Sequence, residues 1–416
     1  MHKYKRTLIA SMLGIFTQAV TNITALLFVP FMSLYGLTFV HLGILVGVNF
    51  GVQMLIDLIF APLIDKLGYR RLVLPACIMA FLGFAVFGTA AFATHHFSVI
   101  MMANVILAAA CGLMEILLSP MVTAMDSDHG KYVSLLHTAF AWGQIITIVI
   151  TTVMLALVRA ENWFVIPYFW ALLPLVCFFV FLRAPYPAAI SEEKRQRASG
   201  IIRNPIYIML LVAMFFGAAS EITMSQFAST FAEKALGFDK VTGDLLGMCG
   251  FAVFFGIGRT LQTVFSSKIN INKTIILSAV CASACYVVAA ICPISAVCLA
   301  ACAVSGLCTA LLWPGSAIVA VDCFPLAGSW LYASLAIFGD SGAALIPLAT
   351  GSIADATQAD IGAAFSSFIG VDASQGGLRI ALLCAAACPL ICGVAHALVY
   401  KLQKKRSLKQ ETLKAE

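Results

Sequence analysis

Of the 416 residues, 62% are apolar and only 11% are charged, 25 Lys or Arg against 19 Asp or Glu, giving a net charge of +6 and a mean hydropathy of +0.99. This excludes a soluble enzyme, a collagen-like chain and a disordered chain, and it supplies about a dozen membrane spans of ~20 residues with almost nothing left for soluble domains. The apolar runs are long and continuous rather than alternating, so a β-barrel is excluded too, and only helices can satisfy the backbone in lipid.

The first run begins at Thr7, directly after Lys3, Lys5 and Arg6, and extends to about Ser33. It is too long for a signal-peptide core and reads as a retained first helix. Breaking the chain at charges, Pro and Gly predicts twelve spans: 7–33, 39–63, 71–94, 97–124, 132–158, 162–183, 205–231, 242–265, 273–292, 295–320, 328–350 and 377–400. The fold class is therefore all-α, a polytopic membrane protein of two six-helix bundles. The longest hydrophilic interruption, Pro185–Asn204, carries Glu192, Glu193, Lys194, Arg195, Arg197 and Arg203. It divides the chain into a bundle over 1–184, a linker over 185–204, a second bundle over 205–400 and a basic tail over 401–416.

The positive charge lies at the ends of spans rather than on a nucleic-acid-binding face. With the N-terminus inside, the inner side collects Lys3, Lys5, Arg6, Lys66, Arg70, Arg71, Lys131, Arg183, the linker cations, Lys268, Lys273 and the tail, against Arg159, Lys234, Lys240 and Arg379 outside. Both termini are expected in the cytoplasm. Short loops point to a bacterial inner membrane. The glycosylation-like triplets at Asn22 and Asn272 fall in a span and an inner loop, where they could not be modified. The fourteen cysteines lie almost entirely inside apolar runs without clustered His or acidic ligands, so they read as small packing residues, with no disulfide and no metal site expected.

The halves repeat. Gly112-Leu113, Leu117-Leu118 and Pro120 of the fourth span match Gly306-Leu307, Leu311-Leu312 and Pro314 of the tenth. Thr21-Asn22-Ile23-Thr24 matches Ser220-Glu221-Ile222-Thr223, Trp142-Gly143-Gln144 matches Phe338-Gly339-Asp340, and Asp65-Lys66-Leu67-Gly68 matches Ser267-Lys268-Ile269-Asn270. Six spans separate the copies, so they share one topology and are related by an axis along the membrane normal.

After the second span stands Ala61-Pro62-Leu63-Ile64-Asp65-Lys66-Leu67-Gly68-Tyr69-Arg70-Arg71. It resembles the Gly-x-x-x-Asp-Arg-x-Gly-Arg-Arg signature loop of the major facilitator superfamily, departing at Ala61, Lys66 and Tyr69. The resemblance covers the whole chain. It implies that Asp65 faces the start of the eleventh helix near Gly328-Ser329, where a carboxylate is stabilised by the helix dipole. Arg70 or Arg71 would reach Asp126 or Asp128, and the loop, with Lys66 and Gly68, would act as a latch on the cytoplasmic side.

Five ionisable residues stand within spans, where they are costly and point to function: Asp57, Glu115, Glu221, Arg259 and Asp340. Glu115 lies about 16 Å of helical rise from Asp126, near mid-membrane, on a face with Ala108, Cys111, Gly112 and Ser119. Helices one, four, seven and ten line the central cavity in the superfamily, which implies that Asn22, Glu115, Glu221 and Thr309 share it. Proton exchange or substrate contact is expected of Glu115 and Glu221, with a structural pair as the alternative. Asp340 lies about 17 Å into its span and matches Gln144, a further candidate beside His137. Asp57 completes a stripe with Asn49 and Gln53 and corresponds to Arg259. Those two charges would pair with each other, or each within its own half, in a structural or gating role. Trp142 and Trp313 are candidates for stacking on a sugar face, and Pro314 marks a bend.

No metal-spaced His/Cys set, nucleophile motif or phosphate loop accompanies the spans, so the reading is a transporter rather than an enzyme or receptor, with no cofactor. The fifth span has one Gly and no Pro, unlike the Gly-Pro-rich helix of the superfamily's drug/proton antiporters, which favours uptake. Gly112, Glu115, Ser119 and Pro120 look similar to the fucose-permease-like sugar/proton symporters. These also use an acid in helix one, where this chain offers Asn22 and Gln18. The expectation is a monomeric, proton-coupled symporter of a small, sugar-like solute. A proton-coupled efflux antiporter or a facilitative uniporter is the alternative.

Overall fold

The computed structural model describes residues 4–60, 63–93, 97–123, 125, 129–187, 201–265, 270–324, 327 and 329–415. Among the described residues twelve helices are long and apolar enough to cross a membrane: α1 Lys5–Tyr35, α2 Phe39–Phe60, α3 Tyr69–Thr89, α4 Phe97–Val122, α5 Leu135–Val158, α6 Val165–Leu182, α7 Pro205–Lys234, α8 Lys240–Gln262, α9 Ile271–Ile291, α10 Ser295–Cys323, α11 Ala333–Thr357 and α12 Ala373–Lys405. Among the described residues there is no strand. The predicted spans agree to within a few residues, except that the eleventh runs on past 350 to Thr357. Gly351, read from sequence as a stop, is a packing residue: a Cβ there would lie 2.3 Å from the Phe39 carbonyl oxygen. A short helix, Asp360–Ile369, follows, and the basic stretch from Lys401 continues the last helix to Ala415.

Side-chain caps begin several helices. Asn204 accepts from the Ile206 amide ahead of Pro205 at the first position of α7, and Asn270 accepts from the Lys273 amide at the start of α9. Two prolines interrupt helices by one mechanism, the clash of the ring with the carbonyl four residues earlier. Before Pro30, α1 tightens to a 3₁₀ helix over Thr21–Leu27, and before Pro314, α10 breaks at Ala310–Leu311 between Ser295–Thr309 and Leu312–Cys323. The first turns of α8 widen to a π-helix over Gly243–Met248.

Within the first six helices α3 packs on α4 and α6, and within the last six α8 packs on α10 and α9 on α12. The two sets meet along α2 with α11, α5 with α8, and α1 with α7. Lipid tails are as apolar as leucine, so association depends on close approach and polar contacts rather than the hydrophobic effect. Glycines provide the approach at the α2–α11 seam. A Cβ at Gly43 would lie 2.9 Å from the Pro347 carbonyl oxygen, and one at Gly47 3.0 Å from that of Ala344.

Candidate functional site

All five charges singled out in the spans gather where the two halves face each other. Glu115 on α4 accepts a hydrogen bond from Gln18 Nε2 of α1 at 2.9 Å. Asp57 on α2 and Asp340 on α11 lie within Coulombic range of Glu115 and of each other, and Glu221 on α7 lies within range of Glu115. Arg259 on α8 binds Glu221 Oε2 at 3.4 Å and stacks over Phe255 at 4.5 Å. Of the two pairings open to Arg259, the structure has the one within its own half. His137 on α5 lies within Coulombic range of Arg259 from the opposite half.

The site's two acids on the cavity-lining helices therefore differ in kind. Glu221 has a cation. Among the described residues no Lys or Arg pairs with Glu115, whose hydrogen-bond partner is a neutral amide. Such a carboxyl can gain or lose a proton without breaking an ion pair.

A small crevice lies on the side of Glu115 away from the chain termini. It is lined by Thr21, Thr24, Leu45, Val46, Asn49, Phe50, Asn104 and Gln226, drawn from α1, α2, α4 and α7. Its polar wall is an ordered chain: Gln53 Nε2 donates to Asn49 Oδ1 at 2.6 Å, Asn49 Nδ2 to Asn104 Oδ1 at 3.3 Å, and Asn104 Nδ2 to the Leu45 carbonyl at 2.8 Å. These groups are uncharged and offer both donors and acceptors. The stripe Asn49-Gln53-Asp57 was legible in the sequence; Asn104 and Gln226 were not.

The remaining candidates are dispersed. The Thr309 hydroxyl donates to the Ser305 carbonyl of its own helix at 3.0 Å. Trp313 lies against α11: a Cβ on Gly339, the residue before Asp340, would meet its ring at 2.7 Å. Gln144 faces a second, smaller crevice with Ala19, Ile23, Leu26, Thr147, Ile148 and Met248, while Trp142 is exposed. Asp126 lies outside the described residues, as do the side chains of Asn22, Asp65 and Lys66.

The end of the bundle opposite the termini is closed across the halves. Asp355 of α11 accepts from the Phe39 and Val40 amides at the start of α2, at 3.1 and 2.6 Å. Phe28 of α1 meets Phe227 of α7 edge to face at 6.2 Å between centroids. Asp244, fully buried in the π-helical turn, accepts from Lys240, from Ser229 and, across the halves, from Thr152 at 3.2 Å. Sequence reasoning missed Asp244, which stands two residues inside the expected start of its span.

This architecture is matched by known proteins. The family model of the major facilitator superfamily matches residues 9–347. The chain belongs to the major facilitator superfamily, a family of transporters. Among solved structures it is similar to a bacterial homologue of the human lysosomal transporter Spinster in an inward-facing, occupied conformation (TM-score 0.73, 13% identity, 95% of each chain covered). It is also similar to a single-residue variant of the E. coli fucose:proton symporter FucP (TM-score 0.67, 18% identity, 95% of this chain and 99% of that one). A third is the nucleoside transporter NupG (TM-score 0.67, 12% identity, 96% of this chain and 100% of that one). No curated protein sequence matches significantly.

In the signature loop of this superfamily member, Ile64–Leu67 forms one helical turn closed by Gly68, whose φ of 76° and ψ of 157° suit only glycine. The Gly68 amide donates back to the Ile64 carbonyl at 2.8 Å. Arg70 reaches the Leu182 carbonyl near the end of α6 at 3.4 Å, where a cation is favoured by the helix dipole, and Arg71 is exposed. Arg70 thus ties the start of α3 to the end of α6 within its own half.

Proposed function

We propose that this transporter is a proton-coupled symporter of a small, neutral, hydroxyl-rich solute of the sugar or nucleoside kind. Glu115 carries the reading: a carboxyl in a membrane helix, held by a neutral amide and free of any cationic partner among the described residues. A carboxyl so placed exchanges its proton as access alternates. The uncharged polar wall of Thr21, Thr24, Asn49, Asn104 and Gln226 supports a neutral solute, since it offers hydrogen bonds without a fixed charge for an ionic one to pair with. Two structural relatives are a fucose:proton symporter and a nucleoside transporter, both for hydroxyl-bearing solutes, which supports the same class. With both termini in the cytoplasm, the closed end faces outward, and the conformation is the one that closes after loading from outside.

The test is uptake of radiolabelled sugars and nucleosides into proteoliposomes. An inwardly directed proton gradient should accumulate substrate in the wild type. Glu115→Gln should lose accumulation by at least tenfold while retaining equilibrium exchange of the same solute, because exchange needs no net proton release. Uptake indifferent to the gradient in the wild type would sink the proposal and leave a uniporter.

A further inference from the structure

We propose that the short helix Asp360–Ile369, between α11 and α12, is an interfacial lipid-binding element: its open apolar face lies in the leaflet away from the chain termini, at the boundary of headgroups and acyl chains, and takes zwitterionic rather than anionic lipid.

Ten residues give about 15 Å of helix, against the ~30 Å of a hydrocarbon core, so the segment is too short to cross. At about 100° per residue its side chains fall into three arcs. Gly362 and Ser366, four residues apart, are buried against the protein. Ile361, Ala364, Phe365 and Phe368 form a second arc, on which Ile361 is 62% and Phe368 87% exposed. Asp360 and Ser367 form the third and are exposed as well. A helix on a protein surface in water divides into two faces, one buried and one polar. A third, apolar and open, is what an element meeting protein, lipid and water at once requires.

Packing sets the depth. A Cβ on Gly362 would lie 3.0 Å from the Gly377 nitrogen, and one on Gly376 would run into the Gly362 carbonyl, so the short helix is pressed against the first turns of α12. Gln358 Nε2 donates to the Ser374 carbonyl at 2.6 Å and Thr357 Oγ1 to that of Gly377 at 3.5 Å, which ties the end of α11 to the same turns. Gly370, at a φ of 75°, then turns the chain back, and the Val371 amide donates to the Ser366 carbonyl at 2.9 Å. The helix therefore sits beside the ends of two spans, at the edge of the hydrocarbon, rather than standing out in water.

Charge selects the lipid. Asp360 and Asp372 are exposed, no Lys or Arg lies between Thr357 and Arg379, and Arg379 is fully buried. Interfacial helices that bind anionic leaflets carry Lys and Arg on the polar face. Two carboxylates in that place instead repel anionic headgroups and accept hydrogen bonds from an ammonium such as that of phosphatidylethanolamine. The element also bears on the gate: Asp355, which latches α11 to the start of α2, lies five residues before it, so the leaflet holds the gate-bearing end of α11 at one depth.

Photocrosslinking of the full chain in nanodiscs of equimolar phosphatidylethanolamine and phosphatidylglycerol tests this. A benzophenone side chain is placed in turn at Ile361, Phe368 and Ser367, and adducts are identified by intact mass after irradiation. Positions 361 and 368 should give lipid adducts several-fold more often than 367, with phosphatidylethanolamine in clear excess over phosphatidylglycerol. Equal lipid yields at the three positions, or adducts confined to protein, a second copy included, overturn the proposal. An excess of phosphatidylglycerol overturns the choice of headgroup. The joint Ile361→Ser, Phe368→Ser variant should keep an unfolding midpoint in detergent near wild type, because the face packs on no protein. A large drop in that midpoint counts against an open, lipid-facing arc.

Discussion

Glu221 and Arg259 show what a buried charge requires in this bundle. Their side chains are 12% and 16% exposed, and the 3.4 Å contact satisfies a carboxylate that would otherwise sit desolvated on α7. Removing one partner strands the other, at a cost of about 3–5 kcal/mol, whereas replacing both by neutral groups of similar volume is often close to neutral. Arg259→Met should therefore lower the unfolding midpoint in detergent sharply, and the joint Glu221→Gln, Arg259→Met variant should recover most of the loss. A joint variant no more stable than the single one would show that the pair is not what holds these helices together. The same scarcity argument made the five intramembrane charges legible from sequence. It has no purchase on Asn104 or Gln226, because an uncharged polar residue in a span is cheap and common. Asp244 escaped for a different reason: a charge two residues into a span reads as a loop end. Only the π-helical turn, which rotates it under Ser229, Lys240 and Thr152, buries it completely.

At the scale of helices, the number and limits of the spans were legible because lipid thickness fixes their length and the backbone has one way to be satisfied there. Which faces meet was not, since a small residue packs equally well against several neighbours. Two glycines of α11 separate the consequences. A Cβ on Gly342 would lie 2.0 Å from the Phe215 carbonyl oxygen of α7, within one half, while Gly351 meets Phe39 of α2 across the halves. Alternating access must part the second contact and keep the first. Gly342→Ala should therefore destabilise the fold itself, by the 1–3 kcal/mol or so typical of overpacking. Gly351→Ala should leave the unfolding midpoint near wild type but lower transport turnover several-fold, by holding open the end that Asp355 latches to the start of α2. Equal loss of stability in the two variants would mean that the seam does not open in the transport cycle.

For the whole molecule, orientation decides what the closed end means. The sequence places four cations on the side away from the termini, and the structure shows two of them bound within the bundle. Arg379 is fully buried and donates to the Ala289, Ala290 and Cys292 carbonyls, where it caps the C-terminal end of α9. Lys240 is bound to Asp244. Those contacts belong to the folded bundle, while orientation follows the count of Lys and Arg themselves, which leaves the excess on the side of the termini as the sequence has it. Reporter fusions check this. A fluorescent protein, which matures only in the cytoplasm, should be bright after residue 416, and alkaline phosphatase, which is active only outside, should be active when fused in the turn at 236–239. With that outcome, the contacts of Asp355, Phe28 and Asp244 close the outer face and the structure is inward-facing. The opposite pattern would turn the same contacts into a cytoplasmic gate and reverse the direction in which Glu115 meets its proton.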